Sequence, residues 1–221
     1  MRDFFVRKFI AMMRNQDLSN LITKLSDNND SVFIHGKRVA KLSCAVAKIM
    51  AYPDEEIKIV HHAAVVHDIG KLRLPAEIVD KPNVLNDDEI LIIRKHAELG
   101  YSLLMQIMRS ESVIAKVALQ HHERLNGSGY PFALRGKDII PIAKIIAVAD
   151  VVDAMISPQV YRPALNMNEA IQEITQNSGL LYDSEIVAST LIAIDGKEWK
   201  REGSCYFSLI KQSTNLDGVN K

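Results

Sequence analysis

Apolar positions recur at helical spacing along most of the chain. Between residues 34 and 50, Val39, Leu42, Val46 and Ile49 fall three to four residues apart, the period of one helix face. Pro53 and Asp54 open a second segment that carries Ile57, Val60, Ala64 and His67. Residues 69–87, with Gly70, Pro75 and Pro82, read as loop. Asn86 followed by Glu89 forms a capping box, which predicts one helix running through Ile90, Ile93, Leu103 and Ile107. A further helix is expected over about residues 111–122. The stretch LNGSGYPFALRGKD is loop and ends at Pro141, and IAKIIAVADVVDAM is an apolar helix. Asn166 and Glu169 repeat the capping box before a helix over 167–177. Asp183 caps a last helix that ends near Gly196.

Both flanks differ from this middle. Residues 2–25 are amphipathic, with Phe5, Phe9, Met12 and Met13 on one side, and SDNNDS at 26–31 is a polar break. Residues 197–221 are more polar, with CYFSLI as a short strand and a frayed end. No internal repeat is apparent. The expected fold is all-α: an N-terminal helical extension over 1–30, a helical bundle over 31–196 and a polar tail over 197–221.

Composition narrows the function classes. Of 221 residues, 48% are hydrophobic, enough to fill a core and to exclude wholesale disorder. Lys+Arg and Asp+Glu both number 27, so the net charge is zero and a global basic field for DNA, RNA or an anionic membrane is lacking. An anionic ligand would need a local positive site. Cys44 and Cys205 lie far apart in no ligand spacing, which excludes a disulfide scaffold or zinc ribbon. Arg7 and Lys8 interrupt the first apolar run, and no other run reaches the ~18 residues of a membrane span. A cytoplasmic location is the expectation.

The chemistry concentrates in histidines and buried acids. His67-Asp68 ends an apolar helix, and Asp150 lies inside the apolar IIAVADVVDA. A lone buried carboxylate is costly, so each needs a partner, and a metal ion is one such partner. His121 and His122 end another helix, while His35 and His96 sit on the apolar sides of theirs. These five imidazoles and two carboxylates form the candidate set. Nitrogen and oxygen donors without sulfur suit iron, manganese or another divalent ion better than structural zinc. Two metals sharing Asp68 as a bridge would use all seven groups. His61 and His62 read as core, as do Met12, Met50, Met105 and Met155.

The loop HHERLNGSGYP follows two of the candidates directly. Gly127 and Gly129 permit backbone closed to other residues, and Pro131 biases Tyr130 toward extended conformation. The loop would wall the site, with Tyr130 stacking on a base or donating a hydrogen bond. The plainer alternative is an ordinary turn with an exposed tyrosine.

Taken together, His67-Asp68-Ile69-Gly70-Lys71, KPNVLNDDE, His96, HHERLNGSGYP and AVAD resemble the HD-GYP family, a branch of the HD superfamily of metal-dependent phosphohydrolases. The resemblance covers roughly residues 31–190. It implies an all-α HD-domain bundle that hydrolyses cyclic di-GMP to pGpG or GMP by a metal-bridged hydroxide. By position, His35, His67, Asp68 and Asp150 would hold one metal. Asp68 would bridge to a second held by His96, His121 and His122. Asp68 and Lys71 would act in catalysis, and Lys71, Gly129, Tyr130, Pro131 and Arg162 would meet the substrate.

Three positions depart from the family pattern. Ser31 replaces a glutamate that supplies a third metal in some members, so two divalent ions, Fe or Mn, are expected. Gln159 replaces an arginine that would meet the dinucleotide, and Lys144 replaces another arginine. Gln159 leaves open hydrolysis of a different cyclic dinucleotide or nucleotide. A non-catalytic module that binds a cyclic dinucleotide or a partner protein is the remaining alternative. The N-terminal helix would pack on the domain, form a homodimer or dock a regulatory protein.

Overall fold

The computed structural model describes residues 31–108, 112–158 and 164–196. The expected N-terminal extension, the C-terminal tail with its CYFSLI strand, and Gln159 and Arg162 lie outside the described residues. Among the described residues the chain forms nine α-helices and no strand. They are α1 (Ser31–Ile49), α2 (Asp54–Val66), α3 (Ala76–Val79), α4 (Asp87–Arg94), α5 (His96–Met108), α6 (Val113–Gln120), α7 (Pro141–Ile156), α8 (Met167–Gln176) and α9 (Ser184–Asp195). A 3-10 turn, Ile69–Arg73, follows α2, so the stretch expected as plain loop carries this turn and the short α3.

Local sequence fixes many of the helix ends. Asn86 and Glu89 exchange side-chain-to-backbone bonds at 2.9 Å, and Asn166 and Glu169 do the same at 2.9 and 3.0 Å. Asp183 accepts from Glu185 N at the start of α9, and Pro141 stands in the first turn of α7. One boundary departs from expectation. The single helix expected from Asn86 through Ile107 is broken at Lys95 into α4 and α5. At the break the Ile93 carbonyl accepts from His96 Nδ1 at 2.7 Å, so a side chain takes an acceptor that an unbroken helix would use.

The core runs along α7. Ile145, Ile146, Val148 and Ala149 are buried there, and α7 packs against α1, α6, α8 and α9. Helices α1 and α2 pack against each other, and Ala40 and Ala47 of α1 and Ala63 and Ala64 of α2 are buried. This packing positions the chemistry. Helices α2 and α6 run side by side and end in His67 and His121, while α1 begins close to His35. Glycine sets one further distance: a Cβ on Gly70 would lie 1.9 Å from the His96 carbonyl oxygen, so the start of α5 can rest on the 3-10 turn only because that residue has none. No described helix is long and apolar enough to cross a membrane.

Candidate metal centre

Six of the seven candidates stand at helix ends or in the first turns beside them, and Asp150 stands within α7. They converge. One ligand atom from each of Asp68, His96, His121 and His122 lies within 4.8 Å of the others, and the same holds for His35, His67 and Asp150. Asp68 joins the two groups, because its oxygens face opposite ways. Oδ1 is 3.2 Å from His96 Nε2 and 3.6 Å from His121 Nε2, whereas Oδ2 is 3.9 Å from His35 Nε2 and 3.7 Å from His67 Nε2. Asp150 Oδ1 lies 3.0 Å from His35 Nε2 and 3.7 Å from His67 Nε2.

The helix ends orient the rings. His67 Nδ1 donates to Ala64 O at 2.7 Å, and His121 Nδ1 donates to Ala118 O at 3.0 Å. These are last-turn carbonyls that lack intrahelical partners. With Nδ1 protonated, Nε2 presents a lone pair, which is the form a metal ligand takes. His96 repeats the pattern through Ile93 O. The result is a buried set of acceptors facing one another. His96 Nε2 and His121 Nε2 are 3.2 Å apart, and His67 Nε2 and Asp68 Oδ1 are buried without an aligned hydrogen bond. Such a set is costly alone and suits a cation at its centre.

The electrostatics agree. Burial opposes ionisation of Asp68, but the charge of the Lys71 ammonium holds it well below the usual carboxylate range. Lys71 Nζ donates to Asp68 Oδ2. Burial likewise opposes Asp150, and the hydrogen bond from His35 holds it low. For His35, burial pulls downward, yet hydrogen bonds to Asp150 and Asp153 raise its pKa to about 9. Burial drives His121 down to about 4 and His122 well below its ordinary value.

The Gly-Tyr-Pro loop does wall this centre. The Tyr130 ring stacks on His122 with centroids 4.6 Å apart and the planes 25° off parallel. Gly127 takes φ +81°, as its sequence position suggested. Gly129 is needed for a different reason. A Cβ there would sit 2.4 Å from both His122 O and Glu123 Cα, so the chain crosses the end of α6 in contact with its backbone. Pro131 follows Tyr130 through a cis peptide bond.

A family comparison resolves what this assembly is. The model of the HD domain family matches residues 19–186. The chain belongs to the HD domain family. The expected HD-GYP resemblance is borne out by the relatives. A cyclic di-GMP phosphodiesterase response regulator of Xanthomonas campestris is 37% identical over 75% of this chain and 43% of its own length. A cyclic di-GMP phosphodiesterase of Thermotoga maritima is 37% identical over 79% of this chain and 48% of its own length. A 3'3'-cGAMP-specific phosphodiesterase of Vibrio cholerae is 41% identical over 76% and 39%. The chain thus spans less than half the length of these relatives. Among solved structures, an HDG"Y"P protein from Bdellovibrio bacteriovorus matches with a TM-score of 0.63 at 20% identity, over 88% of this chain and 62% of that one. That likeness shows the fold.

Several residues of this HD domain escaped the sequence reading. Asp153 accepts from His35 Nδ1 at 2.7 Å and is gripped by Arg38 Nε and an Arg38 terminal nitrogen at 2.8 and 2.9 Å. Its signal was present, since it lies three residues after Asp150 on the same apolar helix. Glu123, buried, accepts from Phe132 N at 2.8 Å and Leu134 N at 2.9 Å and so pins the loop from beneath. Arg94 lies over the Tyr130 ring, 5.1 Å from its centroid. Lys144 instead faces Asp183 at 3.9 Å, beside Glu123 and Tyr182 beneath the loop. His61 is buried in α2 and belongs to neither group, in keeping with a core role.

Proposed function

We propose that residues 31–196 form a unit that hydrolyses a phosphodiester bond of a cyclic dinucleotide, cyclic di-GMP foremost, giving pGpG or GMP. One observation carries the reading: the two oxygens of Asp68 face two separate groups of buried donors. The donor set fits two divalent ions, because His67 Nε2 and Asp68 Oδ1 are buried without an aligned hydrogen bond and face other lone pairs. His35, His67, Asp68 and Asp150 would hold one, and Asp68, His96, His121 and His122 the other. Iron or manganese suits these nitrogen and oxygen donors. When bound, such ions acidify water and neutralise phosphate charge.

The chain's own groups do the rest. Lys71, beside Asp68, places an ammonium where charge grows on the phosphate oxygens. Tyr130 stays protonated, since burial pushes its phenol up and the charges of Asp68 and Asp150 add to that. It can therefore donate a hydrogen bond to substrate. Its ring stacks on His122, where Gly129 brings the chain against the end of α6.

A second reading has specific support. Gln159 stands where the family pattern has an arginine, and one relative is named for 3'3'-cGAMP rather than cyclic di-GMP. The test is anaerobic purification with metal analysis, then chromatography of products from cyclic di-GMP, 3'3'-cGAMP and cyclic di-AMP. Metal near two equivalents with pGpG or GMP formed supports the first reading, and preference for cGAMP the second. Asp68→Ala should lose metal and turnover together. Metal-loaded protein that binds a dinucleotide without cleaving it overturns the hydrolase reading.

A further inference from the structure

Net charge is zero, so capture of a dianionic dinucleotide depends on a few placed cations. Those around the centre are mostly committed. Lys71 is paired with Asp68, and Arg38 grips both oxygens of Asp153. Arg124 donates to the carbonyls of His121 and Glu123, at 3.1 and 2.9 Å. Lys81 is bonded to both oxygens of Glu89. Arg94 differs. It is exposed at the end of α4, and among the described residues it meets no carboxylate or carbonyl, only the Tyr130 ring.

Tyr130 ties Arg94 to the centre. Its ring lies 4.6 Å from the His122 ring, 6.3 Å from the His96 ring and 5.1 Å from the Arg94 guanidinium carbon. The cation–π contact holds the guanidinium in place without consuming its hydrogens, which lie in the ring plane of the fork. A planar donor fork held this way matches a phosphate diester, which accepts two parallel hydrogen bonds. Lys71 already occupies the Asp68 side, so the scissile phosphate has its cation.

We propose that Arg94 binds the second, non-scissile phosphate of the cyclic dinucleotide and thereby selects two-phosphate ligands over mononucleotides. The inference rests on the cyclic dinucleotide reading above. It also places on α4 a positive charge that Gln159 does not supply.

The test is calorimetric affinity of the metal-loaded protein for a non-hydrolysable thio analogue of cyclic di-GMP and for GMP. Arg94→Gln should weaken the dinucleotide by about tenfold and GMP by less than about twofold. Arg94→Lys should recover part of the loss. Metal content, measured alongside, should stay at the wild-type level. Unchanged dinucleotide affinity in Arg94→Gln overturns the proposal. Equal losses for both ligands also overturn it, because Arg94 would then act only by holding Tyr130. A wild-type protein that binds the analogue yet cleaves no cyclic dinucleotide sinks the hydrolase reading alone, and the same affinity ratio still decides the role of Arg94.

Discussion

Asp153 accepts the Nδ1 hydrogen of His35 at 2.7 Å, while Arg38 holds both oxygens of the same carboxylate. The pair fixes the ring so that Nε2 points at Asp150, 3.0 Å away. Partners of this kind orient a ligating histidine and raise its basicity, and their loss commonly costs about 10–100-fold in metal affinity. Asp153→Asn keeps the shape and removes the charge. It should lower metal affinity by about that factor while the helical far-UV signal is kept, as measured by chelator competition. Wild-type affinity in the variant would sink this role.

Gly70 sets the distance between the 3-10 turn and α5. A methyl group there meets the His96 carbonyl oxygen at 1.9 Å and Gly100 N at 2.6 Å, both of them backbone. Neither can swing aside as a side chain end would. Gly70→Ala should therefore move α5 away from Asp68, cost about 1–3 kcal/mol and reduce metal per chain. Thermal melts and metal analysis on the same sample check both effects.

Glu123 holds the Gly-Tyr-Pro loop without touching the metal groups' ligand atoms. Replacing it by Ala leaves the amides of Phe132 and Leu134 without their acceptor, at about 2 kcal/mol or more. The loop should loosen and kcat/KM for a cyclic dinucleotide fall at least tenfold, with metal content unchanged. Glu123→Gln keeps an acceptor and should lose less. Equal metal loss and activity loss would show that Glu123 acts on the centre itself.

His61 makes stability depend on pH. Burial, helped by the nearby His62, lowers its pKa from 6.5 to about 4. A depressed histidine pKa means that the unfolded chain takes up the proton first. Its stabilising contribution is full above about pH 6.5 and is lost as pH falls toward 4. Between pH 7.5 and 5 the loss is about 2 kcal/mol. His61→Leu removes the titration, so its denaturation midpoint should fall less across that interval than the wild-type midpoint does. Parallel pH curves for the two proteins would contradict the assignment.

Much of the site was legible because its residues are rare in their surroundings. An acid such as Asp150 among Ile, Val and Ala announces a buried partner, and adjacent His121-His122 at a helix end announces another. Capping boxes were legible because Asn86 and Glu89, and Asn166 and Glu169, bond within one turn. The break at Lys95 was not, since apolar spacing continues through it. It forms where His96 turns its Nδ1 to the Ile93 carbonyl and where α5 rests on Gly70. Glu123 and Arg94 were missed for a related reason: both are common surface residue types whose roles come from contacts made elsewhere in the chain.

The sequence by itself therefore determined the helical class, most helix ends, the seven candidate ligands and the Gly-Tyr-Pro loop. Each rests on periodicity or on neighbours within a few residues. The division into two groups joined by Asp68 was expected from the family resemblance alone; only the tertiary structure showed how closely each group converges, which oxygen of Asp68 faces which group, and that Gly129 serves close packing rather than an unusual φ. It also decided which of the surrounding cations are already paired. These are distances between atoms on separate helices, set by how buried side chains pack, and periodicity along one chain carries no measure of them.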